Sequence, residues 1–454
     1  MTPLTRSGGH SAAPIRLLHL GLGNFFRAHQ AWYTDRTESA AEWGIAGFGG
    51  RDSSDLVDRL NAQDGLYTLL TRGPESDRYE VVGSLSKAHA AADHAAWLEY
   101  FRSPDLAAVT MTVTEAGYLR GPDGGLDRDN PAIQADLAAL RGDMTAAVKT
   151  APARLAAGLA ARHRAGQGAI ALVPCDNEAG NGAIVERVVH DVAELLGPGL
   201  AESVRASMSV VTTMVDRITP RATPADLEAV EAATDVTDRC PVVTEPFNEW
   251  VLSGGFPSGR PEWDQIGATF TDDVTPYEHR KLWLVNGGHS LLAYAGSIRG
   301  HETVAEAGAD DTCRAWLDEW WSEASAALGP GIDFVTYRSA LFARFTNPRL
   351  RHRLDQIAAD GSYKLPIRVL PVVRIERANG RNPRGATRIL AAWICHLRGA
   401  GAIVTDPRAD LLLPLANGAL RDAVPRVLES LDPELAADTE LIHLVIELCR
   451  ELLR

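Results

Sequence analysis

Lys281, Asn286 and His289 fall within one uninterrupted stretch, KLWLVNGGHSLLAYAG, at residues 281–296. Read as a helix, with about 100° between successive residues, the stretch spreads Lys281, His289 and Asn286 in that order over about 140° of arc. An amine, an imidazole and a carboxamide on one side of a helix can take a proton from a hydroxyl and hold the charge left on its oxygen. The alternative is a surface helix with a polar face. Leu282, Trp283, Leu284, Val285, Leu291, Leu292 and Tyr294 make the segment apolar almost all round, which points to burial. Buried polar groups are costly without a purpose or a partner. Gly287 and Gly288 each cost a helix about 1 kcal/mol relative to Ala, so something is expected to approach the backbone there.

Other elements have to position these residues. Ile15 to Leu20 reads as a strand and runs directly into GLGNFFRAHQAWYTD. Strand, glycine turn and helix make a place for a diphosphate at Gly21, Gly23, Asn24 and Phe25, although Phe26 stands where a third glycine is usual. Trp43 to Phe48 reads as the next strand and leads to Gly49, Gly50, Arg51 and Asp52. Asp52 could accept hydrogen bonds from the adenosine ribose of NAD, Arg51 could meet the 2′-phosphate of NADP, and both could be a solvated turn. Further apolar runs at Ala107–Val113, Ala169–Val173 and Ser209–Val215 end on polar residues: Thr114-Glu115, Cys175-Asp176-Asn177 and Asp216-Arg217. Helical stretches at Pro131–His163 and Ala183–Leu196 separate them, an α/β alternation. Beyond about residue 272 helical periodicity dominates, over Tyr277–Ser297, Thr303–Leu328, Arg349–Ala359, Pro383–Arg398 and a last helix near the C-terminus. Two domains are expected, 1–271 and 272–454.

The chain has 454 residues and a net charge of -14, which argues against nucleic acid and anionic membrane surfaces as main partners. Five scattered cysteines without a CxxC pair indicate neither a disulfide framework nor a thiolate zinc site. The polar N-terminus does not read as a signal peptide and no run is long enough to span a bilayer, so a cytoplasmic setting is expected.

The ordered blocks GLGNFFRAHQAWYTD, QDGLYTLLTRG, VTEAGY, CDNEAGNG, VDRITP, TEPFNEWVL, KLWLVNGGHSLLAY and NPRLRHRLDQIAADGSYKLP run through nearly the whole chain. On them the sequence resembles the mannitol dehydrogenase family of polyol-specific long-chain dehydrogenases and reductases. The resemblance implies an N-terminal Rossmann-type domain, a mostly α-helical C-terminal domain, and metal-independent hydride transfer between a polyol and NAD, with NADP possible. It implies that Lys281 is the general acid/base, that Asn286, His289 and Asn177 are catalytic, that Asp216 supports substrate or cleft, and that Glu278 passes protons towards solvent. On the residues alone Asn177 reads first as a turn or capping residue and Glu278 as a helix-face residue, while Asp216 with Arg217 is equally a structural ion pair.

In the oxidation direction an uncharged Lys281 would take the hydroxyl proton while Asn177 and Asn286 hold the oxygen charge. The expected substrate is a mannitol-like polyol and its ketose. Alternatives are a fructuronate reductase (D-mannonate oxidoreductase), with Arg368 or Arg374 clamping the carboxylate, and a mannitol-1-phosphate 5-dehydrogenase. A nucleotide-sensing protein that has kept the fold and lost catalysis is the non-enzyme alternative. No metal is expected; Gly300-His301-Glu302 reads as a loop, and His19 and His29 as packed or surface residues. A monomer or homodimer is expected.

Overall fold

Six strands form one parallel sheet: β1 (Ile15–Leu20), β2 (Gly44–Phe48), β3 (Leu85–His89), β4 (Ala108–Met111), β5 (Ile170–Pro174) and β6 (Met208–Val210). The computed structural model describes residues 2–6, 11–50, 53–329 and 334–454. The strand order is β3-β2-β1-β4-β5-β6, the doubly wound arrangement whose order reverses between β1 and β4. Alternate residues feed opposite faces. Leu18, Val109 and Leu172 pack with Trp97, Phe101 and Leu159, whereas Leu17, Ala108 and Ala171 pack with Trp250 and Trp263. Both faces are therefore covered, as an all-parallel sheet requires. Register aligns the carboxyl ends: His89 pairs with Phe48, Phe48 with Leu20, Leu20 with Met111, and Met111 with Pro174.

The expected strand Ser209–Val215 is two strands. β6 ends at Val210, and Thr212–Asp216 pairs antiparallel with Glu249–Ser253 in a separate sheet. Val211 N–H donates to Leu172 O (2.9 Å), and the Asn181 carboxamide then takes both backbone groups of Thr213 (2.9 and 3.0 Å). A side chain thus replaces the next ladder rung and lets the strand leave the sheet. The expected helix Pro131–His163 is likewise two, Pro131–Gly142 and Ala151–Arg164. Asp136 accepts from the N–H groups of Lys149 and Thr150 at the break.

His19 is fully buried in β1, just before the glycine turn. Its Nε2 lies 3.2 Å from Gly21 O and its Nδ1 2.8 Å from Thr110 Oγ1. Nε2 also lies 3.0 Å from Thr112 Oγ1.

The chain divides into two compact units, Met1–Thr275 and Pro276–Arg454. Among the described residues the second contains helices and no strand. Arg384–Leu397 is buried on nearly every side and is packed by Asp311–Leu328 and Thr439–Leu452. The expected helix Thr303–Leu328 is divided into Val304–Ala309 and Asp311–Leu328, capped by Thr303 and Asp310. Arg349–Ala359 is not one helix. A short 3-10 turn, Pro348–Leu350, gives way to extended chain that pairs Arg353 with Thr303 before Leu354–Ala358 turns helical. Among the described residues no helix is long and apolar enough to cross a membrane.

The Lys281 stretch is helical and buried, but not a uniform α-helix. It runs as α over Thr275–Arg280, π over Lys281–Gly287, α over Gly288–Leu291 and π again over Leu292–Gly296. Two indoles brace it. Trp320 Nε1–H donates to Trp283 O (3.0 Å) and Trp321 Nε1–H to Leu284 O (2.9 Å). The backbone approach expected at the glycine pair is made by these rings: a Cβ on Gly287 would lie 2.5 Å from Trp320 Cζ2, and one on Gly288 would lie 3.2 Å from Trp321 Nε1.

Gly287→Ala is therefore expected to destabilise the protein by about 1–3 kcal/mol despite alanine's better helix propensity, because the rigid indole has to move. Trp321→Phe, which removes one donor and little volume, should cost about 1 kcal/mol. Urea unfolding of the variants checks both. Burial holds the His19 imidazole down to about 3, against 6.5 for a free histidine. A depressed histidine contributes stability that is intact above pH 6.5 and declines as pH falls towards 3, because only the unfolded chain takes up the proton. The loss should reach about 3 kcal/mol by pH 4. His19→Gln, which cannot titrate, should remove that part of the slope in denaturation followed against pH.

Candidate active site

In the first unit the glycine turn leaves β1 at the point where the sheet order reverses. Gly21 has φ +112, and its N–H and that of Leu22 both donate to Phe48 O at 3.0 Å. A Cβ on Gly21 would overlap the carbonyl of Thr112 on β4's exit, so only glycine fits this crossing. At Gly23 an added Cβ would meet only Gly21 O, at 3.6 Å, leaving room beside the backbone. The helix that follows is short, Asn24–Ala28, and the chain kinks at His29 before Gln30–Arg36. Asn24 Oδ1 accepts from Arg27 Nη2 (2.7 Å) and Phe25 stacks on His29 (5.0 Å). Phe26, in place of the third glycine, is fully buried and lies flat on the His19 ring at 3.6 Å. The packing that a small residue usually permits is made here by ring stacking. Arg51 and Asp52 lie outside the described residues.

Asp176 ties the exits of β4 and β5 together. Its Oδ1 accepts from the N–H groups of Val113 (2.7 Å) and Thr114 (2.9 Å), and Oδ2 accepts from the Tyr118 hydroxyl. Burial, and then the Asp176 carboxylate, push the Tyr118 phenol well above its usual pKa, so it remains a donor. The tether holds Thr114 at φ +68, a strained value for a β-branched residue. Asn177 is exposed beside it, and the cap of the next helix, Asn181–Leu196, is Gly180 rather than Asn177. The tethering role of Asp176 was not evident in the sequence, where its neighbour in the Cys-Asp-Asn block drew the attention. Asp216 is buried at the end of its strand. Arg217 donates to the carbonyls of Ala28 and Glu245 and lies over the Trp32 ring (4.7 Å).

In the second unit Lys281, Asn286 and His289 are all buried, with 9%, 9% and 7% of their surface exposed. The π register changes their relation. Hydrogen bonds from i to i+5 put more residues in each turn, so residues five apart lie closer in angle than they do in an α-helix. Lys281 and Asn286 are five apart in the π segment, and Asn286 and His289 are three apart. The expected wide arc therefore narrows to one face. Asn286 Nδ2 and His289 Nε2 are buried polar atoms with no hydrogen-bond partner among the described residues. Glu278 is buried on the preceding turn.

The surroundings of His289 were mostly not legible in the sequence. Its ring stacks on Phe345 (4.4 Å) and meets His352 edge-on (5.1 Å). Burial first, then the charges of His352, Arg344 and Arg368, hold it well below the usual histidine pKa. His352 is pushed down to about 4 by burial and Arg344. Both imidazoles are therefore neutral at pH 7. Arg368 Nη1 lies 3.3 Å from Ser290 Oγ. The other arginine considered for a carboxylate, Arg374, is engaged instead by Asp432, with Nε 2.8 Å from Oδ2. Asp432 caps the helix Pro433–Ala436, so the pair serves the fold.

His301 approaches Asp310 and Cys313 closely enough for three ligand atoms to lie within 4.8 Å of one another. Arg299 already holds the Asp310 carboxylate at 2.8 Å, and that guanidinium opposes a cation. All five cysteines are buried and free.

Residues 15–265 match the mannitol dehydrogenase Rossmann domain and residues 273–447 the mannitol dehydrogenase C-terminal domain. The chain is 37% identical over 408 residues to the D-mannonate oxidoreductase of Escherichia coli K12, covering 87% of this chain and 83% of the relative. It is 33% identical over 401 residues to the mannitol 2-dehydrogenase of Cereibacter sphaeroides, covering 86% and 83%. Among solved structures, the ternary complex of Pseudomonas fluorescens mannitol 2-dehydrogenase with NAD and D-mannitol superposes with a TM-score of 0.82 at 32% identity, covering 99% of this chain and 94% of that one. A substrate-free D-sorbitol dehydrogenase gives 0.88 at 30% identity, covering 97% and 93%. Two domain matches in sequence order, on a doubly wound sheet followed by a helical unit, place this chain in the mannitol dehydrogenase family of oxidoreductases.

Proposed function

We propose that this protein is an NAD-dependent, metal-independent dehydrogenase that interconverts an open-chain polyol and its ketose, with Lys281 as general acid/base. The observation that carries the reading is the buried helix face on which Lys281, Asn286 and His289 follow one another, two of them with unpartnered polar atoms. The Gly21–Phe25 turn, with its open backbone at Gly23 at the sheet's reversal point, suits a dinucleotide diphosphate. NAD supplies the hydride acceptor when bound.

In oxidation the Lys281 amine takes the proton of the reacting hydroxyl. The Asn286 carboxamide N–H donates to the oxygen as its charge grows, and this donation strengthens towards the transition state. Neutral His289 orients the substrate through Nε2. In reduction Lys281 returns the proton. Asn177, Asp216 and Glu278 keep the roles that the family resemblance implies.

The name of the Pseudomonas fluorescens complex supports a mannitol-like substrate. A second reading, reduction of a keto-hexuronate, is favoured by the contact of Arg368 with Ser290 beside His289 and by the name of the Escherichia coli relative.

Lys281→Ala should lower kcat by about 10²–10⁴-fold while NADH binding, followed by fluorescence, is unchanged. Asn286→Ala should lower kcat by about 10²–10³-fold. The assay follows NADH or NADPH loss with fructose, fructuronate, tagaturonate and fructose 6-phosphate. A Lys281→Ala protein as fast as the parent on its best substrate sinks the mechanism.

A further inference from the structure

The turn that leaves β4 holds a residue in a conformation that its own side chain opposes. Thr114 has φ +68 and ψ 160, a region almost confined to glycine, and its side chain is exposed. A β-branched residue stays there only where its surroundings hold it. Here the holding groups are buried: Asp176 is 6% exposed and Tyr118 is fully enclosed. Asp176 Oδ1 accepts from the N–H groups of Val113 and Thr114, at the start of the turn. Its Oδ2 accepts from the hydroxyl of Tyr118, at the end of the same turn. Gly117 N–H donates to Thr114 O at 3.0 Å and closes the loop between them. One carboxylate thus grips the turn at both ends, with charge-assisted hydrogen bonds that are strong in a buried place.

This turn stands beside the glycine crossing. Thr112 N–H donates to Leu20 O at 2.8 Å, and Thr112 Oγ1 lies 2.9 Å from Gly21 O. Thr114 therefore follows within two residues of the point where the strand order reverses, and a doubly wound sheet receives its dinucleotide at that point. Each half of such a sheet takes one mononucleotide, and the turn after β2 serves the adenosine ribose. β4 and β5 belong to the other half, which leaves their exits to the nicotinamide end.

We propose that Asp176 and Tyr118 are positioning residues for NAD, which hold the strained Thr114 turn as the wall on which the nicotinamide half of the cofactor settles. The inference rests on the cofactor of the dehydrogenase reading and on none of its catalytic assignments. Neither side chain touches the reacting atoms; both act through the backbone of Thr114. Without the tether Thr114 relaxes towards the extended region that suits a threonine, and the cofactor has to restore the turn as it binds. That cost falls on the nicotinamide half, because the adenosine half lies on the other side of the crossing.

The test is Tyr118→Phe, which removes one oxygen from a packed ring. NADH binding, followed by fluorescence, should weaken by about 10-fold, the effect of a relaxed turn that binding has to restore. ADP, which lacks the nicotinamide half, should bind within about 2-fold of the parent in calorimetry. Thr114→Gly takes the same backbone angles without strain, so added to Tyr118→Phe it should recover most of the lost NADH affinity. A Tyr118→Phe protein that is less stable but binds NADH as the parent does shows a purely structural tether and overturns the proposal. Equal weakening of NADH and ADP, or no recovery with Thr114→Gly, overturns it too. If the parent itself binds neither NADH nor ADP, the cofactor reading falls and the positioning role falls with it. NADH binding by the parent that Tyr118→Phe leaves intact removes the positioning role alone.

Discussion

Two indole N–H groups donating to the carbonyls of Trp283 and Leu284 brace the helix that carries Lys281, Asn286 and His289. A π segment is usually a short interruption, tolerated where something stabilises its altered hydrogen bonding. Here the brace comes from adjacent tryptophans on one neighbouring helix. Gly287 and Gly288 are the space those rings occupy. Glycine's cost in a helix is met by indole packing and two buried hydrogen bonds, and the result is a register in which residues five apart share a face. Lys281 and Asn286 have that spacing.

The first unit solves a different problem with the same economy. Its strands end in register, so the turn after Leu20 and the exits after Met111 and Pro174 begin at one level. Asp176 then binds two of those exits together through backbone N–H groups. His19 and Phe26 stack beneath the glycine turn, and the neutral imidazole bonds the carbonyl of Gly21 itself. The turn is held from below by an aromatic pair and at its side by the Thr112 backbone, which is why its glycine at 21 has no substitute.

Electrostatically the surroundings of His289 are unusual for a chain with net charge -14. Arginines and a second histidine lie round a buried imidazole and suppress its protonation. Positive charge is thus concentrated in a buried place on an acidic protein. Arg374 is held by the capping Asp432, and Arg217 by carbonyls and the Trp32 ring.

The sequence by itself determined the class of fold, since strand-turn-helix periodicity, glycine placement and the change to helical periodicity are local signals that survive without tertiary context. It also singled out Lys281, Asn286 and His289, because polar residues in an otherwise apolar helix stand out in one dimension. It misjudged continuity: Ser209–Val215 looks like one strand until the Asn181 side chain takes over a ladder rung, and Arg349–Ala359 looks helical until residue 353 pairs with 303. Only the tertiary structure decided the π register, the tether by Asp176 and the company of His289. Each depends on partners tens of residues away, and hydrogen bonds or charges brought together across such distances leave no periodic trace in the chain that makes them.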